Sequence, residues 1–191
     1  MSRCMDKSPR EFEGIKESVK KGLIIIHTGD GKGKSTAAFG TALRSLGRGY
    51  KVAIVQFIKG NWKTGEGEFF KKFKDQCQLH IMGEGFTWDT KNFEQDVATA
   101  QRAWDKCREL LHDDVHQLVI FDEINYVMAY NFLDVNTVVE ELKKKPPFKH
   151  VILTGRDAPA ELVALADLVT EMKCVKHPYT QGIKAQPGID Y

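Results

Sequence analysis

Ile24-Ile25-Ile26-His27-Thr28-Gly29-Asp30-Gly31-Lys32-Gly33-Lys34-Ser35-Thr36 decides the fold of this chain. An apolar strand runs into a glycine-rich turn, and the turn ends in Gly-Lys-Ser before a run of helix formers. Those pieces make a phosphate cradle. Backbone N–H groups converge on one concavity, and the N-terminus of the following helix adds positive potential. Lys34 reaches phosphate oxygens and the Ser35 hydroxyl is placed to ligate magnesium. A bound nucleoside triphosphate is the expectation. The general motif wants glycine five residues before Gly33, where this chain has Thr28. The alternative is a strand–turn–helix whose glycines only satisfy backbone geometry. The apolar strand, Gly-Lys-Ser and helix formers in the required order weigh against it.

Outward from this turn, strands alternate with helices. The first strand is read at Leu23–His27, and the helix after the turn runs from about Ser35 to Leu46, stopping at Gly47 and Gly49. Lys51–Phe57 reads as a second buried strand, Lys59–Gly67 as a loop, and Gln78–Met82 as a short strand. Gly83–Thr90 reads as a loop with two aromatics. A long helix covers Asn92–Leu111, with Val97, Ala100, Trp104 and Leu111 toward the core. Gln117–Phe121 is an apolar strand ending in Asp122-Glu123. A helix near Val135–Lys144 ends before Pro146-Pro147. Val151–Leu153 is a strand, Ala158–Ala166 a helix, and Leu168–Met172 a last strand. This alternation implies a mostly parallel sheet of about six strands flanked by helices, an α/β domain of P-loop NTPase-like (RecA-like) type. Ligands are expected at the carboxyl ends of its strands. Residues 22–191 form that domain. Residues 1–21 form a polar segment in which Phe12, Ile15 and Val19 recur at helical spacing, a candidate lid.

Composition narrows the function classes. The 191 residues suffice for one α/β core, and the net charge of +2 is too balanced to argue for nucleic acid. Cys4, Cys77, Cys107 and Cys174 lie far apart with no C-x-x-C, and read as free thiols in a reducing compartment. No apolar run approaches the ~20 residues needed to span a bilayer, and the N-terminus lacks the apolar core of a secretory signal. The expectation is a cytoplasmic protein without membrane partners. His112 and His116, four apart, have a spacing that suits a metal. Flanking Asp113-Asp114 favours reading them as exposed residues at a helix end.

Leu118-Val119-Ile120-Phe121-Asp122-Glu123 supplies the other half of a nucleotide site. Such a strand is expected beside the one feeding the phosphate turn, with its acids holding magnesium directly or through water. Thr154-Gly155-Arg156 ends the next strand on the same edge. Arg156 there either holds a phosphate oxygen in bidentate fashion or makes a surface salt bridge. No arginine-rich lid of the kind small kinases carry is seen. The loops instead offer Trp62, Phe69, Phe70, Phe86 and Trp88. Phe86 and Trp88, set among glycines, suit a broad, flat, apolar ligand. Folding back into the core is an equal alternative from the residues alone.

With these stretches in hand, the sequence resembles the P-loop type of ATP:corrinoid adenosyltransferase, also called cob(I)alamin or cob(I)yrinic acid a,c-diamide adenosyltransferase. Thr28–Gly40, Val55–Gly60, Gly83–Trp88, Phe121–Glu123, Thr154–Arg156 and the tail from Val175-Lys176-His177 to Gly188-Ile189-Asp190-Tyr191 carry the resemblance, in that order. The family's own phosphate loop has the shortened glycine pattern, which accounts for Thr28. The resemblance implies that a cobalt(I) corrinoid attacks the 5′ carbon of ATP and releases inorganic triphosphate. The cobalamin-type substrate is complete cobalamin, cobinamide or the a,c-diamide. It implies ATP in the reverse sense to most P-loop enzymes, with the 5′ carbon turned toward the corrinoid. By the same likeness, Gly29, Asp30, Gly31, Lys32, Gly33, Lys34, Ser35, Thr36 and Arg156 bind the nucleotide. Ser35 and Glu123, with Asp122, hold Mg²⁺ (or Mn²⁺), and Lys34, Phe86 and Trp88 serve catalysis. Phe86 and Trp88 pack on the lower corrin face, either excluding an axial ligand or acting only as a platform. Reduced flavodoxin or another flavoprotein is the implied electron donor, and a homodimer the implied assembly. Two rival readings share the phosphate loop: a phosphotransferase or ATPase, and a non-enzymatic ATP-gated binding protein.

Overall fold

The apolar runs pair side by side into one sheet. In the computed structural model, which describes residues 20–58, 60, 63–83 and 93–191, the strands are β1 (Ile24–Thr28), β2 (Val52–Gln56), β3 (Cys77–Ile81), β4 (Leu118–Asp122), β5 (His150–Thr154) and β6 (Leu168–Glu171). Their order is β3-β2-β4-β5-β1-β6 and every pairing is parallel. The central strands β2 and β4 are buried at all five positions, as expected for a sheet covered on both faces. The sheet is the six-stranded RecA-like one expected, with one correction. The acid-bearing β4 is not beside β1; β5 lies between them, with Ile24–His27 registered on Val151–Thr154 and Leu118–Phe121 on His150–Leu153.

The helices are α1 (Lys34–Leu46), α2 (Gly65–Phe70), α3 (Phe93–His112), α4 (Ile124–Ala129), α5 (Val135–Lys143) and α6 (Ala160–Leu165). Side chains alternate across each strand. Ile54, Ile120 and Ile152 pack with Ala38, Phe39, Ala42 and Leu46 of α1 on one face. Ala53, Val55, Val119, Phe121, Val151 and Leu153 pack with α3 and α5 on the other. On α3 the buried stripe is Thr99, Ala100, Ala103, Trp104, Cys107, Leu110 and Leu111; Val97, expected inward, is only half-buried. Trp104 meets Phe121 edge to face, with ring centroids 6.1 Å apart, a favoured aromatic geometry.

Several local readings change. Part of the expected Lys59–Gly67 loop is the start of α2. The Thr64 hydroxyl accepts from Gly67 N at 3.1 Å, and Glu66 and Glu68 occupy the first turn. That cap and those charges outweigh the glycines. Helix α4 follows β4 directly after one left-handed residue, Glu123 at φ 68°. His116 is buried rather than exposed, with its Nδ1 2.6 Å from Asp113 Oδ2, while the exposed His112 meets Glu141 at 2.7 Å. The described cysteines Cys77, Cys107 and Cys174 are free, and burial pushes the Cys77 thiol up to about 11. No helix among the described residues is long and apolar enough to cross a membrane. The helix expected around Phe12, Ile15 and Val19 lies outside the described residues, as do Cys4, Trp62, Phe86 and Trp88.

Candidate active site

The carboxyl ends of β1, β4 and β5 converge on a cavity of about 690 Å³, lined by residues 30–36, Glu123, Tyr126, Thr154–Arg156 and part of the tail. This is where an open parallel sheet places a ligand. The turn after β1 takes its shape from its glycines. Gly29 and Gly33 have φ of +92° and +111°, a region that favours glycine. A Cβ on Gly31 would lie 2.7 Å from the Met172 carbonyl, and Gly31 N donates to that same oxygen at 2.6 Å. The strand end of β6 thus fixes the outer side of the turn. Gly33 caps α1 with no side-chain hydrogen bond, and no acid stands in the first turn of α1. The helix mouth keeps its positive potential.

Lys34 curls back over the turn. Its Nζ donates to the carbonyls of Gly29 and Gly31, both at 2.7 Å. Burial, then the neighbouring Arg156 charge, lower its affinity for a proton. Asp30 and Arg156 face each other across the cavity, with Arg156 Nε 3.8 Å from Asp30 Oδ1 and both side chains exposed. At that distance the pair is weak, so Arg156 is held loosely beside the loop. Ser35 and Thr36 line the same cavity. Thr28, which occupies the motif's missing glycine position, accepts from Ala158 N through its hydroxyl at 3.1 Å. That bond anchors the turn after β5 to the phosphate loop.

The two acids have different surroundings. Asp122 is fully buried. Gln56 Nε2 donates to its Oδ2 at 2.9 Å, and the Thr154 hydroxyl donates to its Oδ1 at 2.8 Å. Glu123 borders the cavity, and its backbone N–H donates to the Thr154 hydroxyl at 2.9 Å. Asn125 Nδ2 donates to the Gly155 carbonyl at 3.0 Å. Thr154 and Asn125 therefore lash the end of β4 to the end of β5, and through it set the position of Arg156. Sequence reasoning missed Gln56, Asn125 and Tyr126 as site residues. Their spacing from the motifs carries no periodic signal, and only the β2-β4-β5 order brings them together. Phe86 and Trp88 lie outside the described residues.

Oxygen donors from Ser35 and Glu123 suit a magnesium ion, which is held through one or two carboxylates together with phosphates and water. Among the described residues no cluster of three or more His, Cys, Asp or Glu side chains could hold a metal alone. A small hard cation that completes its shell with substrate phosphates fits this arrangement.

A family model described as ATP:corrinoid adenosyltransferase BtuR/CobO/CobP matches residues 20–191. This chain belongs to the ATP:corrinoid adenosyltransferase family. It is 48% identical over its whole length to a corrinoid adenosyltransferase of Sinorhizobium sp, covering 90% of that protein. It is 44% identical to the Pseudomonas aeruginosa corrinoid adenosyltransferase and 45% to that of Escherichia coli K12. Each match spans 90% of this chain, with 85% and 87% of the relatives covered. Among solved structures, the flagellar accessory protein FlaH of Methanocaldococcus jannaschii superposes with a TM-score of 0.52 at 17% identity, covering 82% of this chain and 74% of FlaH. That likeness concerns the fold alone. As a corrinoid adenosyltransferase, the chain is a transferase that uses ATP to adenosylate corrinoids.

Proposed function

We propose that the cavity at the carboxyl edge of the sheet holds the triphosphate of ATP so that it leaves intact when the cobalt(I) of the corrinoid attacks the 5′ carbon. The observation that carries this reading is the convergence of Lys34, the helix α1 mouth, Arg156 and Glu123 on one cavity of about 690 Å³. The cobalt electron pair forms the cobalt–carbon bond. The C5′–O bond breaks and its electrons pass to the triphosphate. Backbone amides at the mouth of helix α1, from Lys32 to Ser35, receive that charge from fixed positions, which costs little reorganisation during the reaction. No proton moves at the reacting carbon, so the site needs no general base. Lys34 exchanges its bonds to Gly29 and Gly31 for phosphate oxygens. Arg156 exchanges its loose contact with Asp30 for another.

Ser35 and Glu123 are the proposed holders of Mg²⁺, which when bound supplies further positive charge to the phosphate oxygens; Mn²⁺ suits the same donors. Asp122, held by Gln56 and Thr154 behind them, would add its negative charge to the surroundings of the ion. Phe86 and Trp88 are proposed to pack on the lower corrin face and keep an axial ligand away from cobalt. Reduced flavodoxin or another flavoprotein is the proposed electron source, a homodimer the proposed assembly and the cytoplasm the proposed setting. Residues 1–21 are the proposed lid. The test is a spectrum of reduced corrinoid with ATP, Mg²⁺ and protein. A light-sensitive alkyl-cobalt species together with inorganic triphosphate supports the reading. ADP or orthophosphate as the sole phosphate product overturns it. Trp88→Ala is expected to slow adenosylation of cobalt(II) substrate far more than of chemically pre-reduced cobalt(I); equal slowing removes the axial-ligand role.

A further inference from the structure

We infer that Asp190 is a positioning residue that holds Lys32 back from the bound polyphosphate and so sets how readily inorganic triphosphate leaves. This rests on the reading of the phosphate loop given above. Lys32 stands inside the loop, between Gly31 and Gly33, yet its ammonium is paired with the Asp190 carboxylate, 158 residues away along the chain. The pairing is not a chance meeting of a surface lysine with a loose tail. Asp190 Oδ2 accepts from Gln186 N at 2.8 Å, Asp190 N donates to the Gln186 carbonyl at 2.9 Å, and Gly188 N donates to the Tyr191 carbonyl at 2.8 Å. The carboxylate is fixed in a tight turn, and only 19% of its side-chain surface is exposed.

That turn is built into the cavity. His177, Gly188, Ile189, Asp190 and Tyr191 line it together with the phosphate loop. A smaller cavity of about 320 Å³ behind them is walled by Lys32, Glu123 and the same tail. The three candidate phosphate-binding cations are therefore restrained differently. Lys34 bonds to neutral carbonyls, and Arg156 faces an exposed acid at 3.8 Å. Lys32 has a full counter-ion whose second oxygen is bonded to Gln186 N. The hydrogen bond from Lys32, and after it the one from Gln186 N, hold the Asp190 carboxyl below its ordinary range. A polyphosphate in the loop meets Lys34 and the amides at full strength, but meets Lys32 already neutralised by a carboxylate that itself repels phosphate. The leaving triphosphate is the most highly charged species the site handles. Weakening one of its contacts favours its departure, a step that limits turnover in many enzymes.

The experiment measures binding of sodium tripolyphosphate by titration calorimetry, in magnesium-containing buffer at fixed ionic strength. It compares the full chain with Asp190→Asn, Asp190→Glu, Lys32→Met and the Lys32→Met/Asp190→Asn double variant. Asparagine keeps an oxygen for Gln186 N while removing the charge. Asp190→Asn is expected to tighten tripolyphosphate about tenfold and to lower steady-state kcat relative to the single-turnover rate. Asp190→Glu stays within about twofold of the parent. The double variant binds more weakly than Asp190→Asn and gains over Lys32→Met by less than tenfold, because the larger part of the gain requires the freed lysine. Weaker or unchanged binding in Asp190→Asn overturns the inference. So do shifts of the same sign and size in Lys32→Met and Asp190→Asn, which would make the pair a simple fastener for the tail. A parent chain that does not bind tripolyphosphate overturns the phosphate-loop reading and the inference with it.

Discussion

At the scale of single residues, Lys34 is the side chain on which the proposed nucleotide binding turns. It lies within bonding distance of two loop carbonyls, and burial beside Arg156 lowers its proton affinity. Removing such a positioned charge from a developing anion costs about 10²–10³-fold in rate. Lys34→Ala is expected to lower kcat/KM for ATP by that factor, checked by steady-state kinetics with chemically reduced corrinoid. Gly155 makes the opposite kind of contribution, one of shape. Its φ is +131°, and a Cβ there would lie 2.8 Å from Asn125 Cβ. Gly155→Ala is expected to destabilise the fold by about 2 kcal/mol through backbone strain and overlap, measured by urea denaturation. It also shifts the Arg156 turn and weakens ATP binding. The resemblance put Glu123 first and Asp122 with it at the ion; the hydrogen bonds of Gln56 and Thr154 make Asp122 a buried support, and Glu123 borders the cavity.

At the scale of elements, the C-terminal end of α3 depends on a buried cluster outside the site. Lys149 Nζ donates to the Leu110 carbonyl at 2.9 Å, and to Asp113 O and Oδ1 at 2.6 and 2.8 Å. His116 closes the cluster from the other side of Asp113. Helix ends leave carbonyls that need donors. Here a lysine preceding β5 provides them and ties α3 to the sheet. Lys149→Met is expected to cost about 3 kcal/mol, since it strands buried acceptors and a partly buried carboxylate. Chemical denaturation checks this. Burial pushes the Asp113 carboxyl up. Hydrogen bonds from the His116 backbone, Lys149 and the His116 ring outweigh it and hold the group at about 2. Its folded-state value is thus below the ordinary 3.8. The stability it contributes is fully present above 3.8 and is lost as pH falls through about 2. Asp113→Asn is expected to lose stability at pH 6 and to show a shallower fall between pH 4 and 2 in urea titrations.

At the scale of the whole molecule, the nucleotide cavity lies across three strand ends, two turns and the tail, so ligand binding reports on the assembled sheet. A ligand present at a hundred times its Kd adds about 2.7 kcal/mol, or about 5–10 °C in Tm for a domain of this size. ATP and tripolyphosphate are both expected to produce such a shift in differential scanning fluorimetry. Adenosine alone should give less, and Lys34→Ala should abolish the effect of both polyphosphates. A shift produced equally by adenosine would move the main binding contact from the phosphate loop to the base.

By itself the sequence determined the parallel α/β sheet and the glycine-rich turn at a helix mouth, and it named the cations proposed to act there. Strand burial and helix amphipathicity are written in local periodicity, and Gly-Lys-Ser at a helix mouth is a contiguous signal. It missed α4 and the start of α2, short helices where glycines and acids suggested irregular chain but a left-handed residue and a threonine cap begin a turn. Only the tertiary structure decided that β5 separates β4 from β1, that Thr154 and Asn125 join the two acid- and arginine-bearing ends, and that Asp190 returns to Lys32. Those facts depend on which distant segments become neighbours. Strand order and long-range ion pairs arise from packing the whole chain into one sheet, and no window of adjacent residues encodes them.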